Sequence, residues 1–312
     1  MKFDPFYGMV PLVGVELEVQ SWKGDKQYAY SNLFKPLYKS ESIVYEFHKG
    51  KHEWRCKCSI CYTIGNRILY PVQWKTQHDG SLPPDGVEYI SSIFPTVPYF
   101  VDQAMASIRH IASASKWNDG LIDIHGKPSY PSFHVHCSLD RQAVPKYYYS
   151  TSMLEEVQRC LVEYYPELIA LAASCGYNRP NIHFRTPRYK NPDDGKPHHI
   201  FIAPAQEHFE WRIWEAPPDK GWYYEAAIYT SASLTQALLD YNVLRALEGV
   251  ALTNAAPREL NYANTEQPLI YIDKKRFKAL EIAATECSTI VANPAGVAII
   301  KNLFAEARAK FL

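Results

Sequence analysis

Apolar and polar residues alternate between positions 11 and 20, with Val15, Leu17 and Val19 on one parity and Glu16 and Glu18 on the other. This alternation predicts a strand, and residues two apart on it share a face at a spacing of about 7 Å. Strands are also predicted in "RILYPVQWKTQHDG" (67–80) and "GVEYISSIF" (86–94), joined through the turn-rich "DGSLPPDG", and again in "SFHVHCSLD" (132–140) and "HFEWRIWEA" (208–216). Helical spacing covers Tyr99 to Trp117 and Ser152 to Cys175, the second with Ser152 as N-cap and Glu155 in capping-box position. The polar, Pro-rich "YNRPNIHFRTPRYKNPDDGKPHH" reads as a connecting segment. Helical patterns dominate from about residue 224 to the end, interrupted near "NYANTEQPLIYID". No internal repeat or linker divides the chain. A single α+β domain over residues 1–312 with an antiparallel sheet is the expected architecture.

Charge and composition narrow the partners. The chain balances 33 basic against 33 acidic residues, so no global field favours nucleic acid or an anionic membrane. Its apolar runs fall short of the roughly 20 residues that span a bilayer, and "MKFDPFYGMV" lacks the pattern of a secretory leader. Cytoplasmic residence without membrane attachment is therefore expected. Three of the seven cysteines crowd into "CKCSIC", which suits a metal or free thiols better than a disulfide framework. Cys137, Cys160, Cys175 and Cys287 are scattered and read as buried apolar residues.

Polar residues recur on the predicted strands. Glu88 lies mid-strand after the turn that begins at Asp79, His134 and His136 share a face, and so do Glu210 and Arg212. Each alone fits a solvated face, a packed imidazole or a same-face ion pair. Brought together on one sheet with His134 and His136, the four carboxylates Glu16, Glu18, Glu88 and Glu210 would repel and shift one another unless cations sat among them. Carboxylate oxygens with an occasional imidazole suit Mg²⁺ or Mn²⁺.

The motifs "GVELE", "DGSLPPDGVEYISS", "FHVHCS" and "FEWRIWEAP", in that order over roughly residues 11 to 218, resemble those of the amidoligases among the glutamine-synthetase-like carboxylate-amine ligases. The resemblance implies a curved antiparallel sheet with helices packed on one face and the active site on the concave face. It implies that Glu16 and Glu18 divide between two metal ions, that Glu88 joins one and Glu210 the other, and that either His134 or His136 is the metal histidine. Arg212 would contact the transferred phosphoryl group or the substrate carboxylate. Arg185 and Arg188 stand where such ligases carry phosphate-clamping arginines, and Asp79 opens the motif turn. The implied reaction joins a carboxylate to an amine through an acyl phosphate formed from ATP. The chain carries neither a Walker-type phosphate loop nor a dinucleotide-binding glycine motif, so the nucleotide would be held by metals and arginines.

An inserted loop at about 46–66 contains His48, His52, Cys56, Cys58 and Cys61 within fourteen residues. Three thiols and one imidazole, with His52 beside the cysteines, form a tetrahedral zinc set. Two other functions stay open. A metal-dependent hydrolase would use the same cluster without ATP. A non-catalytic binding module would grip nucleic acid through the Cys loop, Trp54, Tyr62 and the local cations Lys49, Lys51, Arg55 and Lys57, against the neutral overall charge. The nature of the carboxylate and the amine, small molecule, peptide or protein, is open, as is assembly into a homo-oligomer.

Overall fold

A computed structural model describes residues 11–20, 62–64, 67–69, 72, 74–77, 86–114, 121–122, 128–129, 132–139, 150–175, 200–203, 208–217, 220–253, 272–286 and 293–312. Its strands are β1 (Leu12–Gln20), β2 (Tyr62–Ile64), β3 (Arg67–Leu69), β4 (Trp74–Gln77), β5 (Gly86–Ser91), β6 (Phe94–Pro95), β7 (Leu121–Ile122), β8 (Pro128–Ser129), β9 (Ser132–Ser138), β10 (Ile200–Ala203) and β11 (His208–Glu215). The helices are α1 (Pro98–Ala114), α2 (Thr151–Glu163), α3 (Tyr165–Ala172), α4 (Gly221–Leu239), α5 (Tyr241–Thr253), α6 (Lys274–Thr285) and α7 (Pro294–Phe311). Seven strands form one sheet in the order β10-β11-β9-β1-β5-β4, with β6 paired to the start of β1. Every pairing is antiparallel, so the α+β expectation holds. Strands β2 and β3 form a separate pair, as do β7 and β8. Among the described residues no helix is long and apolar enough to cross a membrane.

The alternation in β1 divides the sheet into two chemically different faces. Val13, Val15, Leu17 and Val19 are buried with Phe133, Val135 and Cys137 of β9 and with Phe209, Trp211 and Trp214 of β11. This face packs on α4. The indole N–H of Trp211 donates to Thr235 Oγ1 at 2.9 Å, and that of Trp214 donates to Ser231 Oγ at 2.7 Å. Two large rings are thereby buried without leaving a donor unpaired. Helix α4 is buried on nearly every side, a central rod against which α1, α5, α6 and α7 pack.

Two local expectations are corrected. The strand predicted over 67–80 is split between β3, which pairs with β2, and β4, which joins the main sheet. Pro71 lies between them and cannot donate to a ladder. The N-cap of the helix predicted over 152–175 lies two residues earlier, at Ser150 rather than Ser152, so the helix begins at Thr151, with the Ser150 hydroxyl accepting from Met153 N at 3.3 Å. That helix breaks at Tyr164, and Pro166 occupies the first turn of α3, where a missing N–H is harmless.

Helix α3 is tied to α6 by a buried ion pair. Arg276 Nη2 lies 3.5 Å from Glu167 Oε2, Asp273 N donates to Glu167 Oε1 at 3.1 Å, and the guanidinium sits 5.2 Å from the Tyr164 ring centroid. Burial pushes the Glu167 carboxyl up, to about 7, despite the opposing pull of Arg276 and the Asp273 amide. An acid raised on folding lowers stability as pH climbs from its unfolded value, near 4.5, to its folded one. The difference is worth about 3 kcal/mol. Thermal unfolding should show stability falling between about pH 4.5 and pH 7 from this group, and Glu167→Gln should flatten that part of the profile. An unchanged slope in the variant would show that Glu167 does not titrate there.

Candidate metal centre

Strand pairing carries the polar parity of β1 across the sheet in three rows. Gly14 faces His136, which faces Glu210; Glu16 faces His134 on one side and Ile90 on the other; Glu18 faces Ser132 on one side and Glu88 on the other. Cα partners in an antiparallel ladder point to the same side. Glu16, Glu18, Glu88, His134, His136, Glu210 and Arg212 therefore share the face opposite α4. This face is not open water: Glu18, Glu88, His134 and Glu210 are only 7%, 3%, 4% and 6% exposed. Charged groups this deep need partners.

Glu16 is the hub. Its Oε2 lies 3.3 Å from His134 Nδ1, and its Oε1 lies 3.1 Å from His136 Nε2. Burial alone would push this carboxyl up, but hydrogen bonding and charge from His134 and His136 outweigh it and hold Glu16 well below the usual carboxylate range. Burial likewise works against the charged form of His136. The hydrogen bond and charge of Glu16, helped by Glu210 and opposed by Arg212, win and raise it. His134 Nδ1 also lies 3.7 Å from Glu210 Oε1, which accepts from Arg212 Nη1 at 2.9 Å. Glu18 accepts from the Ser132 hydroxyl and stands directly across from Glu88.

One ligand atom each from Glu16, His136 and Glu210 lie within 4.8 Å of one another. Two carboxylate oxygens and an imidazole nitrogen, three donors with further coordination positions open, fit Mn²⁺ well and Mg²⁺ acceptably. Glu18 and Glu88 add two carboxylates on the same face, opposed as like charges that a cation would offset. His134 lies against Glu16 but outside the three-residue group.

Two residues of this region are absent from the set expected from the sequence. His208 opens β11 on the same parity as Glu210, and its Nε2 lies 3.2 Å from His136 Nδ1. Such a contact fixes the orientation and tautomer of an imidazole whose other nitrogen faces a metal. The period of two that identified Glu210 and Arg212 also contains His208. Glu215 is the second. The register slips by one residue between Trp211 and Trp214, which brings Trp214 opposite Phe133 and Glu215 opposite Ser132. Without that bulge, Trp214 would lie on the carboxylate face and Glu215 among the core residues. Two large indoles three apart were the available signal, since a regular strand cannot bury both on one side.

Asp79, Arg185, Arg188, the zinc set His52, Cys56, Cys58 and Cys61, and the neighbouring His48 lie outside the described residues. Cys137 is buried on the α4 side of the sheet, and burial pushes its thiol up, so it is no nucleophile for the opposite face. No family model matches the chain, and no curated protein matches it.

Proposed function

We propose that the protein is an ATP-dependent carboxylate-amine ligase with a glutamine-synthetase-like catalytic fold. The observation that supports this is the convergence of Glu16, His136 and Glu210 on one point of a sheet face that also carries Glu18, Glu88 and the anchored Arg212. Glu16, His136 and Glu210 would hold one divalent ion, and Glu18 with Glu88 a second. The bound ions would neutralise phosphate oxygens and so let two anions approach. Arg212 is fixed by one N–H to Glu210, which leaves other donors of its fork for the anion being transferred. A substrate carboxylate oxygen attacks the γ-phosphorus, ADP leaves, and the acyl phosphate is then attacked by the amine with loss of phosphate and a proton. Arg185 and Arg188 would complete the phosphate clamp in this proposal, and Asp79 opens the sequence motif that contains Glu88.

The test is ADP release by the purified protein with Mg²⁺ or Mn²⁺ across panels of carboxylates and amines. The ligase requires both. Hydrolysis of an ester or amide without ATP would favour the second reading, a metal-dependent hydrolase, which the imidazoles of His134 and His136 around Glu16 support as a softer donor set.

The Cys/His loop is assigned structural zinc in the same proposal. Protein purified under reducing conditions without chelator should carry about one zinc per chain, lost in Cys58→Ser with little effect on ADP release. Zinc-free protein would remove that part.

A further inference from the structure

Strand β5 leaves β1 after Ile90, and pairing resumes at Phe94 opposite Val13. Residues 91–93 thus bow outward opposite Gly14 and Val15, and the ladder donor Val15 N is caught by the Ser91 hydroxyl at 2.8 Å. The bow leaves a cavity of about 490 Å³ that runs over Gly14 between Leu12, Ile90, Ile93 and Leu139 and ends at Glu16 and His136. Ile93 is 68% exposed at its rim. A Cβ built on Gly14 would meet nothing within 4 Å. The floor of the cavity is therefore open because this site-facing position carries no side chain.

We propose that this cavity receives an apolar side chain of the substrate whose reacting group lies at Glu16 and His136; the proposal rests on the metal-centre reading above. An apolar-walled cavity with polar groups at one end fits an amphiphile, its charged head at the carboxylate and imidazole cluster and its body over Gly14. Gly14 is two residues from Glu16, about 7 Å along the strand. A nucleotide whose terminal phosphate sits at that cluster carries its base beyond two more phosphates and a ribose. The adjoining cavity instead suits a group attached directly to the reacting centre. A branched aliphatic or aromatic amino-acid side chain has that reach.

Ligand-observed NMR titrations in Mg²⁺ with L-leucine, glycine, L-glutamate and adenosine test the assignment, with Mg²⁺ binding measured separately by calorimetry. L-leucine should bind the wild type at least about tenfold more tightly than glycine. Gly14→Leu should abolish that preference, Ile93→Ser should reduce it, and both should leave Mg²⁺ affinity unchanged. Exposed Ile93 keeps the test decisive if Gly14→Leu fails to fold. Equal binding of leucine and glycine, tightest binding of L-glutamate, or loss of adenosine rather than leucine binding in Gly14→Leu would overturn the proposal. A leucine preference without Mg²⁺ binding would support the cavity and refute the metal centre.

Discussion

In the proposed ligase, Glu16→Gln should abolish metal-dependent turnover. Glu16 lies within 3.3 Å of both imidazoles of β9, and it supplies one of the three converging donors. Gln keeps the shape but removes the charge that would bind the ion and balance His136. Losing the proposed metal contact, worth several kcal/mol, should lower turnover by on the order of a thousandfold or more. Calorimetric Mn²⁺ titration and ADP release both read this loss. The metal-free variant should also be less stable near neutral pH, with a defined sign. Glu16 is lowered on folding, so its contribution is present above its unfolded value and vanishes in acid; His136 is raised, so its contribution is present below about 6.5 and fades as pH rises past its folded value. Glu18→Gln has the opposite effect on the metal-free protein, because Glu18 faces Glu88 rather than an imidazole. Retention of full Mn²⁺ affinity by Glu16→Gln would contradict the assignment of this strand.

Arg212→Lys separates phosphoryl transfer from simple metal hydrolysis. The side chain is 27% exposed, anchored at 2.9 Å to Glu210 and lies beside the converging donors. Lysine keeps the charge and loses the planar fork that can hold Glu210 and an anion together. Turnover should fall by on the order of a hundredfold, the loss of one preorganised donor, with Mn²⁺ affinity intact. Single-turnover transfer from γ-labelled ATP checks it. A variant as fast as the wild type would leave Arg212 a structural ion pair and favour the hydrolase.

Much of the face was legible from period two alone. Glu16 and Glu18, His134 and His136, and Glu210 and Arg212 each share a parity, and the antiparallel ladders align those parities. Glu215 was not legible, because its side depends on a bulge that satisfies the burial of Trp211 and Trp214 rather than on its own neighbours. Strand β10 was hidden for another reason: "IFIA" is a short apolar run at the end of a polar segment, and it becomes a strand only by pairing with β11. The cavity over Gly14 depends on where β5 leaves β1, a tertiary choice that no local pattern reports. Ser150 displaced Ser152 as the cap because either serine suits the start of that helix and only the hydrogen bond to Met153 decides between them.

The most direct measurement follows the oxygen atoms. In a ligase that works through an acyl phosphate, one oxygen of the carboxylate leaves with the phosphate. With Mg²⁺, ATP, an amine and a heavy-oxygen-labelled carboxylate that together support ADP release, mass spectrometry of the inorganic phosphate should show one labelled oxygen per turnover, lost with Glu16→Gln. Unlabelled phosphate, with the label retained in the carboxylate or released to water, would contradict activation of a carboxylate at this face.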